Sequence, residues 1–187
     1  GDNAWIDTRF HEDEDLKILH DIPSLELGSS RTFALGMVKS TDALLFGPKV
    51  VPSGISITPY DPGRRGALYS LGFLIREVAH RDLDIGLDEL TVGYSVRRVD
   101  NFERTDIFVA DTLENGAGFA TKLGLTSDFA ALLRACKKFT DDLESIEHEA
   151  CDSSCPNCIR DYSNLIYHSI LDWRLGRDLL DLLMVGS

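Results

Sequence analysis

Between Arg64 and His80, apolar residues recur at Ala67, Leu68, Leu71, Leu74, Ile75 and Val78. That spacing places them on one face of a helix. A second periodic stretch runs from about Ser127 to Ile146. It carries Phe129, Leu132, Leu133, Cys136 and Leu143 on one face and Arg134, Lys137, Lys138, Asp141 and Asp142 between them. Thr126 or Ser127 is the expected N-cap, because a hydroxyl there satisfies a free backbone amide. A third helix is predicted from about Leu171 to Met184, with Leu171, Leu175, Leu179, Leu182 and Leu183 as its buried stripe. Shorter patterns predict strands. Thr32–Val38 and Ala43–Phe46 flank a Ser-Thr-Asp turn, Leu90–Val96 alternates, and Ile107–Ala110 is a continuous apolar run of the kind buried on both faces. Residues 47–63 hold four prolines and three glycines, which predicts a long loop.

The first half therefore reads as mixed and the second as helical, giving an α+β class. The expected architecture is a small mixed β-sheet with packed helices and a C-terminal helical subdomain that carries the chain's four cysteines. Expected boundaries are an acidic arm or linker over 1–30, an α+β region over 31–125 and a helical, cysteine-bearing region over 126–187. The arm is marked by His11-Glu12-Asp13-Glu14-Asp15. The pattern shows no internal repeat and no low-complexity tract.

Charge narrows the functional classes. With 19 Lys and Arg against 31 Asp and Glu, the 187-residue chain carries a net charge of −12. That argues against a free-standing protein that binds nucleic acid by neutralising phosphates. A basic partner or neighbouring domain fits better. No apolar run approaches the ~20 residues of a membrane span, and no secretory leader pattern opens the chain. These features predict a cytoplasmic protein without a membrane partner. The abrupt Gly1-Asp2-Asn3 start suggests a piece of a longer polypeptide.

The cysteines give the sharpest chemical signal. Cys151, Cys155 and Cys158 fall within eight residues, and Cys136 is the only other one. A disulfide framework would spread them along the chain. The stretch His148-Glu149-Ala150-Cys151-Asp152-Ser153-Ser154-Cys155-Pro156-Asn157-Cys158 reads H-x2-C-x3-C-x2-C. Zinc takes four soft or borderline ligands in a tetrahedron, and the short C-x2-C spacing lets two thiolates converge from one turn, which Pro156 stiffens. Three thiolates leave one position open, and His148 is near enough to fill it. Cys136 is the rival, although a straight helix would put it roughly 18 Å away along the axis. His168, Glu149 or water are the remaining choices. A redox pair at Cys155 and Cys158, a catalytic zinc and inert thiols are the competing readings of the cluster. Structural zinc is the preferred one, and a chelator is then expected to unfold the C-terminal helices first.

A second stretch, Asp111-Thr112-Leu113-Glu114-Asn115-Gly116-Ala117-Gly118, places an acid at a strand end before a glycine-containing turn. Such turns often hold ligands in α/β proteins. Asp111, Asn115, Gly116 and Gly118 are therefore candidates for a nucleic-acid or ligand loop. The alternative is that Asp111 and Asn115 cap the turn. Neither a full dinucleotide fingerprint nor a P-loop is present. Arg97 and Arg98 near a strand end, and Arg64 and Arg65 at a helix start, are candidate phosphate contacts whose simpler reading is solvated surface. Arg160, Tyr162, Asn164, Tyr167, His168, Trp173 and Arg174 are expected to pack largely around the metal loop.

The ordered combination of the Asp111–Phe119 turn, the Cys151–Asn164 segment and His168-Ser-Ile-Leu-Asp172-Trp-Arg-Leu resembles the MrfA-type zinc-binding domain. That domain occurs at the C-terminus of certain superfamily 2 helicases. The chain is also similar to the B component of the DISARM phage-defence system. The resemblance covers about residues 31–187. It implies a zinc-stabilised accessory domain working beside a DNA-translocating ATPase, with a helicase or ATPase domain or subunit as partner and nucleic acid engaged through it. Carried over residue by residue, Cys151, Cys155 and Cys158 match the family's zinc cysteines. The helicase members commonly have a fourth cysteine two residues before the first of these, where this chain has Glu149. No Walker motif or DEAD/DEAH box occurs in the chain, so the motor is expected elsewhere. The implied function is a non-catalytic accessory domain in DNA repair or phage defence. The alternative is a metal-dependent nuclease or hydrolase using the Asp111–Gly118 loop.

Overall fold

The computed structural model describes residues 40–99, 102–144, 148 and 151–185. The acidic run and the strand expected over Thr32–Val38 lie outside these residues. The described elements are strand β1 (Ala43–Phe46), helix α1 (Pro62–Leu83), strands β2 (Leu90–Val99) and β3 (Phe102–Asp111), a short helix α2 (Phe119–Leu123), helix α3 (Thr126–Leu143) and helix α4 (Trp173–Val185). Three-ten turns cover Leu87–Glu89 and Tyr162–Tyr167. The α+β class and the helical C-terminal part with its Cys/His cluster are as expected. Among the described residues no helix is long and apolar enough to cross a membrane.

The sheet order is β1-β3-β2, and both pairings are antiparallel. Among the described strands the small sheet is antiparallel throughout. The reason is connectivity: β2 and β3 form one long hairpin paired from Leu90↔Asp111 to Val99↔Phe102, and β1 then pairs only with Ile107–Ala110. β3 is thus central among the described strands. It is buried mainly on the face carrying Ile107 and Val109, while Phe108 on the other face is half-buried. The sequence pattern found only the inner ends of β2 and β3, because their outer halves carry Arg97, Arg98, Glu103 and Arg104 in place of apolar residues.

Helix α1 is the centre of the fold. Asp61 caps it by accepting from the Arg64 amide at 2.9 Å, with Pro62 in the first turn, where a missing N–H costs nothing. Its C-terminus closes on Asp84 in the left-handed conformation (φ 53°). Between these ends, Leu68, Leu71, Phe73, Leu74, Ile75, Val78 and Ala79 are all buried. The burial runs around the helix because α1 lies between the sheet and the helices α3 and α4. Each fully buried Leu or Ile contributes roughly 1.5–3 kcal/mol relative to exposure. Helix α3 begins at Thr126, with Leu125 at the N-cap and no side-chain hydrogen bond there, so the expected hydroxyl cap is absent. Cys136 is fully buried on its inner face beside Leu132, Leu133, Thr140 and Leu143. Burial pushes its thiol well above the ordinary range.

Helices α1 and α4 meet backbone to backbone. A Cβ placed on Gly176 would lie 3.0 Å from the Ser70 carbonyl carbon and 3.1 Å from the Leu71 nitrogen. Neither neighbour is a flexible side-chain end, so a larger residue must separate the helices. Ser70 itself is buried, and its hydroxyl accepts from the Asp172 amide at 2.9 Å, tying the start of α4 to α1. Gly176→Val is expected to lower stability by about 1–3 kcal/mol through overpacking. Equilibrium urea unfolding checks this, and an unchanged midpoint would contradict the close approach.

Candidate metal centre

After α3 ends, the chain turns tightly. The Cys151 amide donates to the His148 carbonyl at 3.0 Å. A second turn follows, in which the amides of Cys158 and Arg160 both donate to the Cys155 carbonyl at 3.1 Å. The Cys155 amide also points at the Cys158 sulfur, 3.0 Å away. These two turns bring together the side chains of His148, Cys151, Cys155 and Cys158. One ligand atom from each lies within 4.8 Å of all the others. The Cys151 and Cys158 sulfurs are 4.0 Å apart, and His148 Nε2 is 3.3 Å from the Cys155 sulfur. Tetrahedral coordination at a Zn–S distance near 2.3 Å requires S···S separations of about 3.8 Å. The Cys151–Cys158 separation is close to that size.

The donor set favours the same ion. Three sulfurs and an imidazole suit zinc and disfavour calcium or magnesium, which take oxygen ligands. His148 Nδ1 is 3.1 Å from the Leu143 carbonyl oxygen. A carbonyl can only accept, so Nδ1 carries the proton and Nε2 keeps its lone pair facing the sulfurs. The last turn of α3 thereby sets the imidazole tautomer. Burial pushes the Cys158 thiol up to about 12 and raises that of Cys151 as well. A divalent cation reverses this by stabilising the thiolates.

A shell of hydrogen bonds fixes the loop to the fold. The Ser154 hydroxyl donates to the Leu171 carbonyl at 2.9 Å, and the Trp173 amide donates to the Ser153 carbonyl at 2.9 Å. Arg174 donates to the carbonyls of Asp152 (2.5 Å) and Cys151 (3.2 Å). Arg160 bridges the Ser154 hydroxyl (2.8 Å) and the His168 carbonyl (3.1 Å). The Trp173 ring stands edge-on to His148, with centroids 5.8 Å apart. The polar and aromatic group expected around the metal loop is therefore largely there, although Tyr162 points to solvent and Tyr167 packs on Tyr69 instead.

The other ligand candidates sit elsewhere. Cys136 is inside the helical core and is not part of the group. His168 Nε2 faces the Asp161 carbonyl (3.0 Å) and Asn164 Oδ1 (2.8 Å), a donor's position that supports the loop from outside. Glu149 lies outside the described residues. Sequence reasoning missed the buried network behind this loop. Arg76, on the inner part of α1, pairs with Asp161 and donates to the Ser163 hydroxyl at 3.0 Å. Asp161 and Asn164 form a reciprocal capping box, and Asn164 is fully buried. The Asp-x-x-Asn spacing and an arginine among apolar helix positions were the available signals.

The Asp111 loop is built around its acid. The Asp111 carboxylate is buried and accepts from the amides of Ala117 (2.6 Å), Gly118 (2.6 Å) and Ala120 (2.8 Å). Asn115, Gly116 and Gly118 have φ of 68°, 81° and 86°, the left-handed region in which glycine is unstrained. A Cβ on Gly116 would also meet Asp42 Oδ2 at 2.5 Å. The amides that would greet an anion thus face inward to Asp111.

The family model for the MrfA Zn-binding domain matches residues 71–159, a span that contains all three clustered cysteines and His148. The Druantia protein DruE of Escherichia coli (strain UMEA 4076-1) is 31% identical over 124 residues, which are 64% of this chain and 6% of that protein. Two crystal structures of the DUF1998 helicase MrfA are similar. The one bound to DNA and AMPPNP has a TM-score of 0.46 at 17% identity, and covers 75% of this chain and 15% of that one. The one bound to DNA has a TM-score of 0.48 at 18% identity, with 78% and 17% covered. The resemblance to the MrfA-type zinc-binding domain is borne out over residues 71–159. The chain spans only a small fraction of each relative's length.

Proposed function

We propose that this chain is a non-catalytic zinc-binding accessory domain of a helicase-associated DNA repair or phage-defence protein. It holds one Zn2+ through His148, Cys151, Cys155 and Cys158. The observation that carries this reading is the four-ligand group, whose donor atoms all lie within 4.8 Å of one another, with the histidine tautomer set for ligation. A site with four protein ligands has no open position for substrate, which is the mark of a structural metal. The match to the MrfA Zn-binding domain and the likeness to the Druantia protein DruE support the context. A platform of this kind supports nucleic-acid engagement by a partner ATPase.

The nuclease reading centred on Asp111 has less behind it, since the carboxylate already accepts three amide hydrogen bonds. Metal analysis and a nuclease assay with added Mg2+ or Mn2+ separate the two. One tightly held zinc per chain and no cleavage support the platform. Cleavage abolished by Asp111→Ala supports the enzyme.

The ligand set has its own test. His148→Ala is expected to weaken zinc retention against a chromophoric chelator by at least about tenfold, the smallest effect usual even for an outer-shell change. Cys136→Ala should leave zinc content at the wild-type level. The opposite pattern would move the fourth ligand from His148 to Cys136.

A further inference from the structure

Among the described strands, the β2–β3 hairpin extends beyond the three-stranded part of the sheet, since β1 pairs only as far as Ile107. On this two-stranded ribbon Arg97 and Arg104 are direct cross-strand partners. Like charges in that position repel, so the pair needs a reason. Part of it is Asp106, nearly fully buried on the same face at the root of the ribbon. Arg97 Nε donates to its Oδ2 at 2.6 Å and Arg104 Nε to its Oδ1 at 3.1 Å. One carboxylate cannot balance two guanidiniums, so the cluster keeps one net positive charge. Both arginine side chains remain about half exposed, at 52% and 46%. Each guanidinium uses Nε to hold Asp106. Among the described residues no hydrogen-bond acceptor meets the terminal nitrogens of either. Two oriented forks therefore face outward, anchored from behind by a buried acid.

We propose that Arg97 and Arg104 form a clamp for one backbone phosphodiester of a nucleic-acid strand. The chemistry follows from charge and shape. A phosphodiester offers two non-bridging oxygens and a single negative charge, which matches two planar donors and one uncompensated positive charge. A phosphate monoester carries more charge than the cluster can neutralise. On a chain of net charge −12, this clamp adds a local positioning contact to a partner's grip. Such contacts set register and carry no base information. The inference builds on the nucleic-acid side of the proposed function, and it is independent of the zinc.

The test is an NMR titration of the arginine Nε–H signals with a thymidine oligonucleotide at low salt. The expected result is saturable shifts of Arg97 and Arg104, and no comparable shift with inorganic phosphate at the same phosphorus concentration. The Arg97→Gln/Arg104→Gln double variant should weaken binding by about tenfold and flatten the salt dependence by about one to two charges. Lys138→Gln, at an exposed position of α3, should leave binding at the wild-type level. Zinc content and thermal unfolding of each variant confirm an intact fold. Absence of shifts at saturating oligonucleotide, equal shifts with inorganic phosphate, or an unchanged double variant would each overturn the clamp. None of these outcomes would touch the zinc site, whereas a metal-free wild type would overturn that site and leave the clamp standing.

Discussion

Treatment with a high-affinity zinc chelator is expected to release one metal ion per chain and to unfold α4 before any other described element. Structural zinc contributes roughly 10–16 kcal/mol in small peptides, while a whole domain is stable by only about 5–15 kcal/mol. Without the ion, the segment from His148 to Cys158 has little apolar surface to hold it, and Cys151 and Cys158 would sit as buried thiols. The consequence travels along identified bonds. Ser153, Ser154 and the carbonyls of Cys151 and Asp152 hold the start of α4 through Trp173, Leu171 and Arg174. Loss of those anchors frees Leu179, Leu180 and Leu183 from α1 and α3. Hydrogen exchange should then show early deprotection over Trp173–Val185, with the β2–β3 hairpin and the middle of α1 following. Retention of full amide protection in α4 after stoichiometric zinc loss would rule out a structural role for the metal.

Much of this arrangement was legible because its causes are local. Three helices announced themselves through period-3.6 burial, and α1, α3 and α4 fall within a few residues of the predicted spans. The H-x2-C-x3-C-x2-C spacing fixed the cage, since tight turns at Cys151 and Cys155–Cys158 leave the four side chains few ways to diverge. What the chain pattern hid depends on distant partners. The outer half of the hairpin shows no alternation because Arg97 and Arg104 share a face that no other described strand covers. Helix α1 reads as amphipathic, yet Ser70 and Arg76 on its polar side are buried by α4 and by the Asp161–Asn164 turn about 90 residues away. The absence of a capping hydroxyl at Leu125 has a similar lesson: packing of Phe129, Leu132 and Leu133 outweighs a cap of about 1 kcal/mol.

Arg76 is the second place where a single change should have a large effect. Its side chain is only 5% exposed and its partner Asp161 only 14% exposed. Burial pushes the guanidinium below its ordinary value, and the Asp161 charge opposes that shift. Arginine keeps its proton in proteins, so the guanidinium remains a cation here. The pair is thus a true buried ion pair, backed by the Ser163 hydroxyl and by the Phe73 ring 4.6 Å below the guanidinium carbon. Removing one partner strands the other charge, which costs about 3–5 kcal/mol. Arg76→Met is therefore expected to lower the unfolding temperature by roughly 2–4 °C for each kcal/mol lost. Asp161→Asn keeps a capping side chain on the Tyr162–Tyr167 turn but leaves Arg76 unpaired, so it should be harmful by a similar amount. Combining the two removes both charges, and the double variant should be more stable than the sum of the single losses predicts. Strict additivity, or single losses below about 0.5 kcal/mol, would mean that α1 and the loop behind the metal are held together by packing alone.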